Sequence, residues 1–120
     1  MTMPSSEQIR EWIQSALEYS GGTHTVDDVI ESVMSGRMQL WPAARGCAVT
    51  EIVVYPQKKV LHVFLAAGEM DQLFDMIDSA AEWGRGQGCS AMTLAGRLGW
   101  QRAMKPLGWE PTMVVLEKEI

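Results

Sequence analysis

Eight consecutive residues, Val60-Leu61-His62-Val63-Phe64-Leu65-Ala66-Ala67, are apolar except for His62. In an extended segment neighbouring side chains point to opposite faces, so a run apolar on both faces belongs in the middle of a sheet with cover on each side. The run is far below the ~20 residues of a membrane-spanning helix. The rest of the chain therefore has to supply neighbouring strands and two layers of helix.

The neighbours are legible. Cys47 to Tyr55 is rich in Val, Ile and Thr and ends in the turn Tyr55-Pro56-Gln57-Lys58, which makes it the antiparallel hairpin partner of the Val60–Ala67 strand. Met38 to Trp41 reads as a short strand stopped by Pro42. Ser90 to Ala95 is expected to run parallel to Val60–Ala67, because a helix-length crossover separates the two. A closing strand is expected from Trp109 or Thr112 to about Glu119.

The cover is legible too. Ser5 caps a first helix in a capping box with Gln8, and Ile9, Trp12, Ile13, Ala16 and Leu17 form its apolar stripe up to Gly21-Gly22. Thr25 caps a second helix with Asp27 and Asp28 in its first turn, the stripe Val26, Val29, Ile30, Val33 and Met34, and Gly36 at its end. Gly68 opens a third, with Met70, Leu73, Phe74, Ile77, Ala80 and Ala81 as its buried stripe and Gly84, Gly86 and Gly88 dispersing it. A fourth carries Trp100, Ala103, Met104 and Leu107 and is interrupted at Pro106. The expectation is one α/β domain over residues 1–120, ordered α-α-β-β-β-α-β-α-β, a mixed sheet with helices on both faces.

Composition narrows the function. Ten Lys and Arg against fifteen Asp and Glu give a net charge of −5, which argues against a nucleic-acid or acidic-membrane partner, since phosphate neutralisation needs a concentrated cationic surface. The start of the chain has no basic segment followed by an apolar core, so it does not read as a signal peptide. Cys47 and Cys89 are isolated thiols that suit a reducing cytoplasm, and no His, Cys, Asp and Glu cluster has metal-ligand spacing.

The element order and the stretch Trp83 to Trp109 resemble the GNAT (Gcn5-related N-acetyltransferase) superfamily: Gly88-Cys89 before a strand, Met92-Thr93-Leu94 within it, and Leu107-Gly108-Trp109 after a helix. With Gly96-Arg97-Leu98-Gly99-Trp100 and the ending Val114-Val115-Leu116-Glu117-Lys118-Glu119, the chain looks similar to small GNAT-like proteins of tailed phages. The resemblance implies the acyl-CoA N-acyltransferase-like fold. It also implies a site for acetyl-CoA where the third helix leaves the central strand, at Gly68, Glu69 and Met70, with Arg97 assisting.

This sequence departs from the family pattern there. Members that use acetyl-CoA carry Arg or Gln, two residues, Gly, one residue, and Gly or Ala, so that backbone N–H groups wrap the pyrophosphate. Here Leu65-Ala66-Ala67-Gly68-Glu69-Met70-Asp71 keeps one glycine, has no basic residue and puts two carboxylates at the helix start. Met104 stands where the family often has a proton-donating Tyr, and Arg97 where it often has Asn.

Two readings follow. The preferred one is a GNAT-like protein with a degenerate acetyl-CoA site, working without a cofactor as a protein-binding or self-associating module. It would be virion-associated or host-interacting, in the host cytoplasm or packaged in the particle. The alternative is an active small acetyl-CoA-dependent N-acetyltransferase with Glu51, or a water, as base. Trp41, Trp83, Trp100 and Trp109 are the candidate interface anchors. Arg97 and Arg102 read as phosphate contacts or, more simply, as ion-pair partners of Glu69 or Asp71. His62 reads as a hydrogen-bonded core histidine, and His24 as a loop residue with no evident partner.

Overall fold

The computed structural model describes residues 3–96 and 98–120. Two helices, α1 (Ser6–Leu17) and α2 (Val26–Met34), precede the strands β1 (Gln39–Ala43), β2 (Gly46–Val54) and β3 (Lys59–Gly68). Helix α3 (Met70–Gly86) leads to β4 (Ala91–Leu94), and α4 (Leu98–Met104) runs into a 3-10 turn at Lys105–Leu107. The sheet order is β1-β2-β3-β4, with β3 and β4 parallel and the other pairs antiparallel. The apolar run is thus central, as its two-faced pattern requires.

Alternation along β2 sorts the two layers. Cys47 and Val49 point to one face and pack with Ile13, Leu17, Val26 and Val29 of α1 and α2. Ala48, between them, points the other way and packs with Leu73 and Met76 of α3. Each layer is closed by the stripe expected of it, except that Met34 at the end of α2 and Leu107 after α4 are exposed, and with two shifts in α3. Met70 is exposed while Met76 is buried, and Gly84 lies inside the helix, where a Cβ would press on the Leu61 side chain at 3.0 Å. Gly84 is therefore a contact point between helix and strand rather than a helix breaker.

Three further expectations are corrected. Pro42 does not stop β1: it sits within it, opposite Cys47, which an edge strand permits because one side of its backbone needs no ladder bond. The Ser5 capping box is half formed, with the Ser5 hydroxyl accepting from the Gln8 N–H at 3.1 Å. The closing strand is not formed among the described residues: 109–120 pairs with nothing in the sheet, and Met113, Val114, Val115 and Leu116 are 80–89 % exposed. Among the described residues four strands, not five, make the sheet.

Candidate functional site

The hairpin of β2 and β3 contains one irregularity. Thr50 pairs with Val63 but Val49 pairs with Leu65, so Phe64 is an extra residue on β3, a β-bulge. The parallel partner β4 follows β3 only as far as Val63, opposite Leu94. Beyond that point Phe64 to Gly68 has β2 on one side and no strand among the described residues on the other. The sheet therefore opens between β3 and the end of β4, starting at the bulge. Trp100 of α4 packs against the Ala48, Leu73 and Met76 cluster, and a Cβ on Gly96 would lie 3.0 Å from its ring.

Gly68 closes β3 with φ +110, and Gly46 is its partner across the ladder. A Cβ on Gly68 would overlap the Arg45 carbonyl oxygen and the Gly46 Cα, so no other residue fits this close approach of backbones. The Glu69 N–H donates to that same Arg45 carbonyl at 2.9 Å, which fixes the direction in which α3 departs.

The start of α3 has no side-chain cap. Glu69 occupies the capping position and Asp71 the first turn, and the Arg45 side chain, from the β1–β2 turn, pairs with both, reaching Asp71 at 3.5 Å. The Arg45 N–H also donates to the Gln72 side-chain oxygen at 3.3 Å. Among the described residues, two carboxylates against one guanidinium leave one negative charge beside the positive end of the helix dipole. Sequence reasoning had Arg97 or Arg102 as the partners of these acids. Arg97 lies outside the described residues, and the cation that arrives is Arg45. It comes from a turn more than twenty residues away in sequence, which only the Gly46–Gly68 apposition brings close.

Glu51 stands elsewhere. It is five residues along β2 from Gly46, about 16 Å at ~3.3 Å per residue. There it faces His62 of β3, which in turn faces Thr93 of β4, a row across three strands. His62 Nδ1 and the Thr93 hydroxyl share a hydrogen bond of 2.8 Å. Burial lowers the His62 pKa and the Glu51 charge opposes that shift. His62 is thus a hydrogen-bonded, half-buried histidine, with Glu51 beside it, and not beside Gly68. His24 has partners after all: the Thr23 hydroxyl at 2.7 Å and the Phe64 ring at 4.6 Å between centroids.

The four tryptophans are half-buried. Trp41 donates its indole N–H to Thr50 Oγ1 at 2.9 Å and meets Trp83 edge-on at 5.8 Å, and Trp100 is packed as above. Among the described residues, Met113–Leu116 is a run of four consecutive exposed large apolar side chains; Met34, Val54 and Leu98 are exposed elsewhere in the chain. Of the thiols, Cys47 is buried and its pKa is pushed up to about 12, which leaves it inert; Cys89 is half-buried. No group of three metal-binding side chains occurs among the described residues, and no helix there is long and apolar enough to cross a membrane.

No protein-family profile matches the sequence, and no curated protein matches it significantly. Solved structures do. A Trypanosoma brucei acetyltransferase superposes with a TM-score of 0.65 at 10 % identity, over 99 % of this chain and 97 % of its own. The Thermus thermophilus protein TTHA1254 gives 0.64 at 14 % identity, over 100 % and 97 %. A candidate acetyl transferase from Pyrococcus furiosus gives 0.72 at 14 % identity, over 95 % and 93 %. At such identities the likeness is one of backbone architecture, and on that ground the chain is built on the GNAT acetyltransferase fold.

Proposed function

We propose that this protein uses the acetyltransferase fold for protein contacts and has given up efficient binding of acetyl-CoA. The observation that supports this reading is the charge arrangement at the start of α3: Glu69 and Asp71 lie where the resemblance puts a diphosphate, and Arg45, the cation there among the described residues, is already paired with both. An incoming diphosphate would meet two like charges and would have to displace the guanidinium from them. These residues do not fit that group. Met104, buried and without a proton to donate, supports the same reading for the chemical step. The resemblance of Gly96–Trp100 and Val114–Glu119 to phage proteins extends it to a virion-associated or host-interacting module.

Calorimetric titration with acetyl-CoA tests the reading. The expected result is no measurable heat at micromolar protein, with binding gained in a Glu69→Gln/Asp71→Asn double variant. Clear micromolar binding by the unaltered protein overturns it.

One observation favours the second reading, an active small N-acetyltransferase. The uncapped start of α3 leaves backbone N–H groups of its first turn without side-chain partners, beside the opening between β3 and β4. Release of free CoA from acetyl-CoA in the presence of an amine would decide for it. Glu51→Gln would then test the base.

A further inference from the structure

Two parts of the molecule each lack what the other has. The segment Thr112 to Glu119 has the pattern of a strand and holds Met113, Val114, Val115 and Leu116 in solvent, 80–89 % exposed. Strand β4 is the last in the sheet order, so one whole side of its backbone is unpaired. The Ser90 N–H donates to the Lys59 carbonyl at 2.9 Å, and by alternation Met92 and Leu94 also face β3. Ala91 and Thr93 therefore turn their N–H and C=O groups to the open edge. An open edge and a free apolar strand are both association hazards when left unmatched.

Two further features of that edge suit the segment. A hollow of about 140 Å³ lies beside it, lined by Leu61, Ala81, Gly84, Cys89, Ala91 and Met92, of a size to take an aliphatic side chain. Arg85 also lines the hollow, and among the described residues it makes no ion pair. The segment carries Glu117 and Glu119 against a single Lys118, with Glu110 just before it, a complementary charge.

We infer that the segment 112–119 of one chain adds as a fifth strand to the β4 edge of a second copy, and that the exchange is reciprocal. A two-fold arrangement satisfies both edges and both segments at once, since the same two surfaces are used twice. At about 100 Å² per aliphatic side chain, four from each copy and the surfaces that receive them amount to roughly 1,600 Å², the size of a stable interface. The inference deepens the interaction reading by naming the partner. It rests on that reading only for its biological sense, because the edge and the segment are there whether or not a coenzyme binds.

Sedimentation equilibrium of the full chain at tens of micromolar tests it. The expected mass is twice that of one chain. Val115→Lys removes an exposed side chain with no packing to lose, and Ala91→Pro removes an N–H from the open edge without touching the β3 ladder. Each variant should sediment at half the wild-type mass with an unchanged far-UV circular dichroism spectrum. A wild-type monomer overturns the inference, as does a dimer that persists in both variants. A monomer whose Ala91 and Thr93 amides resist hydrogen exchange, and lose that protection in Val115→Lys, also overturns it, because the segment would then pair within its own chain. None of these results bears on acetyl-CoA heats, so the two questions fail separately.

Discussion

Helices α2 and α3 begin in opposite ways. At the start of α2 the Thr25 hydroxyl accepts from the Asp28 N–H at 3.1 Å while the Asp28 carboxylate accepts from the Thr25 N–H at 2.9 Å. The unpaired donors of the first turn are thus met by two residues three apart, and the cap is local and self-contained. At the start of α3 no side chain does this. The helix is instead aimed by backbone apposition, Gly68 against Gly46 and Arg45, and its acids are balanced by a guanidinium from a distant turn. The difference separates a helix that serves as cover from one whose start lies at an opening in the sheet. It also shows why the two tolerate different substitutions.

The largest expected effect is at the apposition. Gly68→Ala forces a Cβ into the Arg45 carbonyl at a backbone angle that other residues avoid, and should cost about 3–5 kcal/mol from strain and overlap together. Urea denaturation reads this directly; a loss below about 1 kcal/mol would mean that the two backbones are not in contact. Thr25→Ala removes the local cap of α2 and should cost about 1 kcal/mol by the same measurement.

The α2 cap should also be acid-sensitive. Hydrogen bonds from Thr25 hold the Asp28 pKa below its ordinary 3.8, so the folded state binds that proton less readily than the unfolded one. Its contribution is complete above pH 3.8 and is lost as the pH falls through that value toward the folded pKa. The stability difference between the wild type and Asp28→Asn should therefore shrink on acidification over that range. A difference that stays constant with pH would break the account of the cap. The smallest effect is expected from Glu69→Ala, the capping-position substitution on α3. It removes one partner of an exposed ion pair and no cap, so stability should change by less than about 1 kcal/mol. Equal losses from Thr25→Ala and Glu69→Ala would erase the comparison.

Much of the fold was readable because it rests on near-neighbour rules. The stripe of α1, the Thr25 cap, the Pro56–Lys58 turn and the two-faced β3 each follow from residues a few positions apart. Given the turn, counting back along both strands even sets Glu51 opposite His62. Past Thr50 the count fails, because the bulge at Phe64 inserts a residue that no local pattern announces. That one residue decides that Gly46 meets Gly68, and hence that Arg45 reaches Glu69 and Asp71. The sequence marked Glu69 and Asp71 as unusual and did not point to Arg45 as their partner. It offered four tryptophans, half-buried in the structure, as candidate anchors and did not mark Met113–Leu116, whose strand pattern promised burial.

By itself the sequence determined the helices and the first four strands to within a few residues, which strand is central, and that the start of α3 carries acid rather than base. These follow from side-chain chemistry and periodicity along the chain. Only the tertiary structure decided that Arg45 pairs with that acid, that His62 Nδ1 shares a hydrogen bond with the Thr93 hydroxyl, and that a strand-like segment finds no partner in its own sheet among the described residues. Those outcomes depend on register and on strand edges. A register is a relation between distant residues, and a single bulged position is enough to shift it.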